Sequence, residues 1–137
     1  MNASIPQMLS ESPDAFANFD QAMTESTSVM QATDEQIGRM RDTALELSMA
    51  SARGPTDLAK SYYFLASAGL SAEQSMAALP KVMQFSMAGA FDMARATELL
   101  TGSQSALGLV VADPVKNMEN MTRVSDVLAR VTTLAQG

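Results

Sequence analysis

The sequence predicts an all-α fold of about six short helices, set as a bundle or an array of helical hairpins with no sheet. Three observations predict it. Apolar residues recur at spacings of three and four along most of the chain. Ser, Thr or Asp stands just before several of these runs, and Gly or Pro just after them. No stretch alternates apolar and polar residues as a half-buried strand would.

Residues 1–11 read as a flexible leader ahead of one helical domain over 12–137. Ser12-Pro13 is a helix start, a capping hydroxyl followed by Pro at the first helical position. Phe16, Phe19 or Asp20, Met23 and Met30 give the first helix a loose apolar stripe, and Thr24 to Val29 weakens it with Ser and Thr. Thr33 caps the second helix, with Gln36 completing a capping box. Ile37, Met40, Ala44 and Leu47 share one face. Arg53-Gly54-Pro55 is expected to end that helix, with Gly54 as a left-handed cap.

Thr56 is the expected cap of the third helix. Its inner face carries Leu58, Tyr62, Leu65 and Ala66, broadened by Tyr63 and Phe64. Ser71 and Gln74 form a second capping box. The fourth helix carries Met76, Leu79, Val82, Met83 and Met87, and Pro80 inside it is expected to kink or break it near Ala77. The fifth begins near Asp92, carries Met93, Ala96, Leu99 and Leu100, and ends near Gly102 or runs on toward Gly108. Asp113-Pro114 starts the last helix, striped by Met118, Met121, Val124 or Ser125, Leu128, Val131 and Ala135.

One device recurs. Ala68-Gly69-Leu70, Ala88-Gly89-Ala90-Phe91 and Leu107-Gly108-Leu109 each place Gly after a helix and an apolar residue just beyond. That is the pattern of a Schellman stop, in which the apolar residue folds back on the preceding turn. The glycines lie about twenty residues apart, so the helices turn back on one another.

Composition narrows the function. Of the 137 residues, 47% are apolar and only 18% charged, against the ~25% of an ordinary domain. Ser, Thr, Gln and Asn therefore cover much of the surface and repel partners weakly. The net charge of −6, with nine scattered basic residues, argues against nucleic-acid binding by phosphate neutralisation. With no Cys and no His, structural zinc, iron–sulfur ligation, disulfides and His-based catalysis are excluded. Most of the carboxylates sit at helix caps, where they complement the helix dipole, or on exposed faces. No catalytic, cofactor-binding or metal-binding residue is expected, and no enzyme. The 12 Met residues read either as a plastic core or as an adaptable binding surface. Leu107 to Ala112 is the longest apolar run, either a buried connector or a sticky patch used in assembly. The candidate partner-facing residues are Met118, Met121, Leu128, Leu109, Val110 and Val111; the candidate caps are Ser12, Thr33, Thr56, Ser71 and Asp113.

Four segments, in order, carry a family likeness. They are Leu45-Glu46-Leu47 leading to Pro55-Thr56-Asp57-Leu58-Ala59, then Leu65 to Pro80 with its Ala-Gly-Leu-Ser-Ala-Glu core, then Ala88-Gly89-Ala90-Phe91-Asp92-Met93-Ala94, then Arg123-Val124-Ser125-Asp126-Val127-Leu128-Ala129. Over residues 32–136 the chain resembles the core region of phage tail tape measure proteins. Where that family carries Ala-Phe-Gly-Leu, this chain has Ala106-Leu107-Gly108-Leu109. The resemblance implies a structural protein of the tail lumen, assembled in the host cytoplasm and acting in tail assembly and length determination. It implies tail tube or tail-tip proteins and assembly chaperones as partners, alongside self-association. A rival reading is a membrane-active helical protein assisting genome passage. Met-rich stripes and the 107–112 run motivate it, and the negative charge weighs against it.

Overall fold

The computed structural model describes residues 13–51, 53–89 and 91–136, with side chains from 17 to 131. The expected leader and Ser12 as a cap lie outside those described residues, and the stripe positions Phe16 and Ala135 lie outside those with described side chains. Six helices follow in order: α1 (Pro13–Met30), α2 (Asp34–Met49), α3 (Pro55–Ser67), α4 (Ala72–Gly89), α5 (Met93–Ala106) and α6 (Pro114–Gln136). No strand occurs among the described residues.

Local chemistry accounts for most boundaries. The Thr33 hydroxyl accepts from Gln36 N–H at 3.1 Å while Gln36 Oε1 accepts from Thr33 N–H at 3.0 Å. Ser71 and Gln74 repeat this reciprocal cap at the start of α4. Single carboxylates start α5 and α6: Asp92 Oδ1 accepts from Arg95 N–H at 2.7 Å, and Asp113 Oδ2 from Lys116 N–H at 2.8 Å. The expected cap at Thr56 is corrected. Gly54 is the N-cap of α3 at φ −77°, Pro55 takes the first helical position, and Thr56 falls inside the helix. Gly54 is therefore not a left-handed stop either; α2 has already ended, with Ala50 as its C-cap. Pro55 decides this, because its fixed φ suits the first turn of a helix. Thr33→Ala should then cost about 1 kcal/mol in urea unfolding, and Thr56→Ala less than about 0.5 kcal/mol.

Two of the three expected glycine stops have the full geometry. Gly69 lies at φ +95°, with Leu70 N–H donating to Leu65 O at 3.1 Å; Gly108 lies at φ +70°, with Leu109 N–H donating to Gln104 O at 2.9 Å. Gly89 serves differently. It closes α4 outside the left-handed region, and a Cβ there would fall 2.5 Å from the Phe91 ring, which packs on Phe85. A fourth stop shows no such signal in the sequence. Gln31 takes φ +57°, with Ala32 N–H donating to Thr27 O at 3.2 Å. A side chain in that region costs about 1 kcal/mol or more. Gln31→Gly is therefore expected to raise the unfolding free energy by about 0.5–1 kcal/mol, seen as a higher urea midpoint with an unchanged m-value.

Pro80 does not break α4, which runs as one helix from Ala72 to Gly89. One missing hydrogen bond and a ring clash cost ~3 kcal/mol. Against that, Ala78, Leu79, Val82, Met83 and Phe85 on both sides of Pro80 are buried. Their burial, at roughly 1.5–3 kcal/mol for each large side chain, outweighs the break.

The helices stack in two layers. α1 packs on α3 and α3 on α5; α2 packs on α4 and α4 on α6. Each end of the array is built by one helix pair, α1–α2 at one end and α5–α6 at the other. The core runs between the layers: Phe19, Met23, Met40, Leu58, Tyr62, Leu65, Leu79, Val82, Leu100 and Met121 are almost fully enclosed. Met83 and Met93 are also buried, so methionine here serves chiefly as core filler, with Met49 and Met87 exposed. In the Tyr62–Phe64 cluster only Tyr62 is core; Tyr63 is exposed and Phe64 half-buried. Polar ties cross the array. Ser26 Oγ donates to Ala59 O at 3.0 Å between α1 and α3. Arg39 and Gln36 on α2 both bond Glu73 on α4, and the Arg39 guanidinium holds that carboxyl below the usual carboxylate range. Arg53 Nη2 and Ser86 Oγ both donate to Phe91 O, at 2.8 and 2.6 Å, joining the α2–α3 and α4–α5 connections.

Candidate partner-binding groove

The α5–α6 connection is an apolar run on the surface, and amides from three helices hold its backbone. Gln104 Nε2 on α5 donates to Leu109 O and Asn117 O, both at 3.1 Å, and to Asn117 Oδ1 at 2.8 Å. On α6, Asn120 Nδ2 donates to Leu109 O at 2.9 Å, and Asn117 Oδ1 accepts from Val111 N–H at 3.0 Å. Gln74 Nε2 on α4 donates to Val111 O at 2.5 Å. Gln104 and Asn117 are fully buried. Nearby, Gln104 Oε1, Asn117 Nδ2 and Ser75 Oγ have no partner among the described residues, so the clamp is bought with some unsatisfied polarity.

The clamp divides the 107–112 run between its two expected roles. Leu109 packs against the core, whereas Leu107 is 66% exposed and Val110 39%. Beside them lies an apolar groove of about 490 Å³, walled by Ala106, Leu107 and Leu109 on one side and Val124, Val127 and Leu128 on the other, with Ser103 and Arg123 at its edges. α6 has 23 residues and α5 only 14. At ~1.5 Å per residue α6 is longer by roughly 13 Å. Its apolar side therefore emerges from the core along its length: Met121 is fully buried and Val124 nearly so, but Val127 and Val131 are 59% and 56% exposed.

The expected partner-facing residues divide accordingly. Val110 is exposed, and Leu109 and Leu128 contribute to the groove wall. Met118 and Val111 are half-buried. Met121 is corrected: it is sealed in the core, on the part of α6 that α4 and α5 cover. Leu107, Val127 and Arg123 line the groove without having been among the expected partner-facing residues. The amide clamp had a visible signal, since Asn117 falls on the same helical stripe as Met121, Val124 and Leu128, a core position for a polar residue.

Among the described residues no His, Cys, Asp and Glu cluster as metal ligands, and no helix is long and apolar enough to cross a membrane. The groove can bury apolar side chains of a partner, with Arg123 at its edge for an acidic contact.

Comparison with known proteins gives two matches. The family model for phage-related minor tail proteins matches residues 41–137. The chain is 30% identical over 112 residues to the tape measure protein of Pneumococcus phage Dp-1, an alignment covering 82% of this chain and 9% of that protein. The chain thus spans a small part of the length of that relative. No solved structure matches.

Proposed function

This chain belongs to the phage-related minor tail protein family, and we propose that it is an assembly module of the tape measure type, acting in tail assembly and length determination. It works by packing, as a structural protein without catalysis, in the lumen of the tail after assembly in the host cytoplasm. The observation that carries the reading is the match over residues 41–137, which takes in five of the six helices in whole or part and all of the α5–α6 groove. A rigid helical array with an open apolar end suits a protein whose work is to be held by others. Its partners are tail tube or tail-tip proteins, assembly chaperones and copies of itself.

The test is binding of the purified chain to tail tube and tail-tip proteins of the phage that encodes it, with Leu107→Glu as the control. Saturable binding that Leu107→Glu weakens at least tenfold supports the proposal. A folded chain that binds none of these proteins counts against it.

A further inference from the structure

The two ends of the helical array differ in chemistry. The outward residues of α1 are chiefly polar: Asn18, Gln21, Thr24, Glu25 and Ser28 are exposed, and Val29 is the one large apolar side chain exposed among the described residues of that helix. The α5–α6 end shows Leu107, Val127 and Val131 instead, each more than half exposed. A stacked array needs a polar outer face on its terminal unit to stay free of its copies. α1 provides one, and α5–α6 does not.

Two stripes run side by side on α6. Asn120, Val124, Val127 and Val131 follow the spacing i, i+4, i+7, i+11, which keeps them on one face. One residue earlier, Glu119, Arg123, Asp126 and Arg130 follow the same spacing with alternating sign. All four are exposed, and among the described residues none is in an ion pair.

That order of charges is self-complementary. Place a second α6 antiparallel to the first, centred between positions 124 and 125. Arg123 then stands opposite Asp126 of the second copy, and Arg130 opposite Glu119 of the second copy, with the reverse pairs following by symmetry. A parallel pairing in register would set like charge on like. The same centre suits the apolar residues. Leu107 shares the groove with Val127 and Val124, near the axis. Val131 is carried toward the level of Asn117 and Asn120 of the second copy, where the 109–111 connection is held. A head-to-tail stack would instead press Val127 and Val131 onto the Asn and Gln side chains of α1, removing water from polar groups with no partner supplied.

We propose that two copies of this chain pair through their α5–α6 ends about a two-fold axis, with antiparallel α6 helices closing the groove and four ion pairs at its rim. The pairing deepens the assembly-module reading, on which it rests for its setting, by naming one partner and its orientation.

The experiment is size exclusion with light scattering on the full chain across a concentration series. Two charge-segregated variants accompany the wild type: R123E/R130E, whose stripe is wholly acidic, and E119R/D126R, whose stripe is wholly basic. Circular dichroism checks that each keeps its helices, as substitutions at exposed positions should. The expected results are a wild-type dimer and at least tenfold weaker self-association of either variant alone. An equimolar mixture should restore a dimer containing one of each. A wild type that stays monomeric at every concentration overturns the pairing. So do variants that dimerise as the wild type does, or a mixture that stays monomeric. Binding to tail tube and tail-tip proteins is read separately, so its loss with the dimer intact would remove the tail role and leave the pairing standing.

Discussion

Gln104→Ala is expected to lower stability by about 3 kcal/mol in urea unfolding and the melting temperature by roughly 10 °C. The side chain is fully buried, and its amide is shared among Leu109 O, Asn117 O and Asn117 Oδ1. Truncation removes those bonds and leaves a space beneath the connection. The loss is bounded because neighbours persist: Asn120 still serves Leu109 O, and Val111 N–H still serves Asn117 Oδ1. Removing Gln104 Oε1, which has no partner, returns a part of the cost. The effect should also be local in origin. Amide exchange in 107–112 should rise more than in α1–α3, because the clamp's hydrogen bonds hold that connection and none of them reaches α1 or α3. Equal loss of protection through the whole array would show that Gln104 acts as ordinary core filler. Since Leu107 sits on the clamped segment, the variant should weaken partner binding at the groove even where the fold survives.

How much of this was legible in the sequence depends on how local each determinant is. Thr33, Ser71, Asp92 and Asp113 could be read because a cap involves residues only three apart. Gly69 and Gly108 could be read for the same reason. Gln31 could not, because a left-handed residue other than Gly carries no compositional mark, and the α1 stop is imposed by the packing of α1 on α3 and the return of α2. Of the two outcomes expected at Pro80, a kink or a break, the break does not occur, because the local penalty is real but smaller than the burial around it. On α6 the stripe was read correctly as a stripe. Which part of it is covered depends on α5 stopping at Ala106 and on α4 lying across Met121, and neither fact is carried by α6 itself. The groove therefore appeared only once the lengths of neighbouring helices were known, whereas its amide clamp was hinted at by Asn117 among apolar neighbours.

Tyr62→Ala is expected to cost more than any other single change, about 4 kcal/mol, close to the whole stability of a marginal domain. Tyr62 is fully enclosed in α3, the helix that touches α1, α2, α4 and α5, and its hydroxyl donates to Met40 O on α2 at 2.9 Å. Truncation opens a large cavity where both layers meet. Tyr62→Phe keeps the ring and loses only the hydroxyl bond, so about 1 kcal/mol is expected. The two variants also separate packing from titration. Burial raises the Tyr62 phenol above its ordinary value, because the charged form would be desolvated. In the unfolded chain the phenol releases its proton near pH ~10, while in the fold it stays protonated. Its contribution is therefore complete below pH ~10. Above that the unfolded state binds fewer protons than the native one, and stability falls by about 1.4 kcal/mol per pH unit. Melting curves between pH 7 and 11.5 should show the wild type and Tyr62→Phe converging and then crossing as pH rises through ~10 to 11, because the phenylalanine variant lacks this titration. Parallel curves throughout would mean that the Tyr62 phenolate is tolerated in the core, and that the α2–α3 contact opens readily enough to hydrate it.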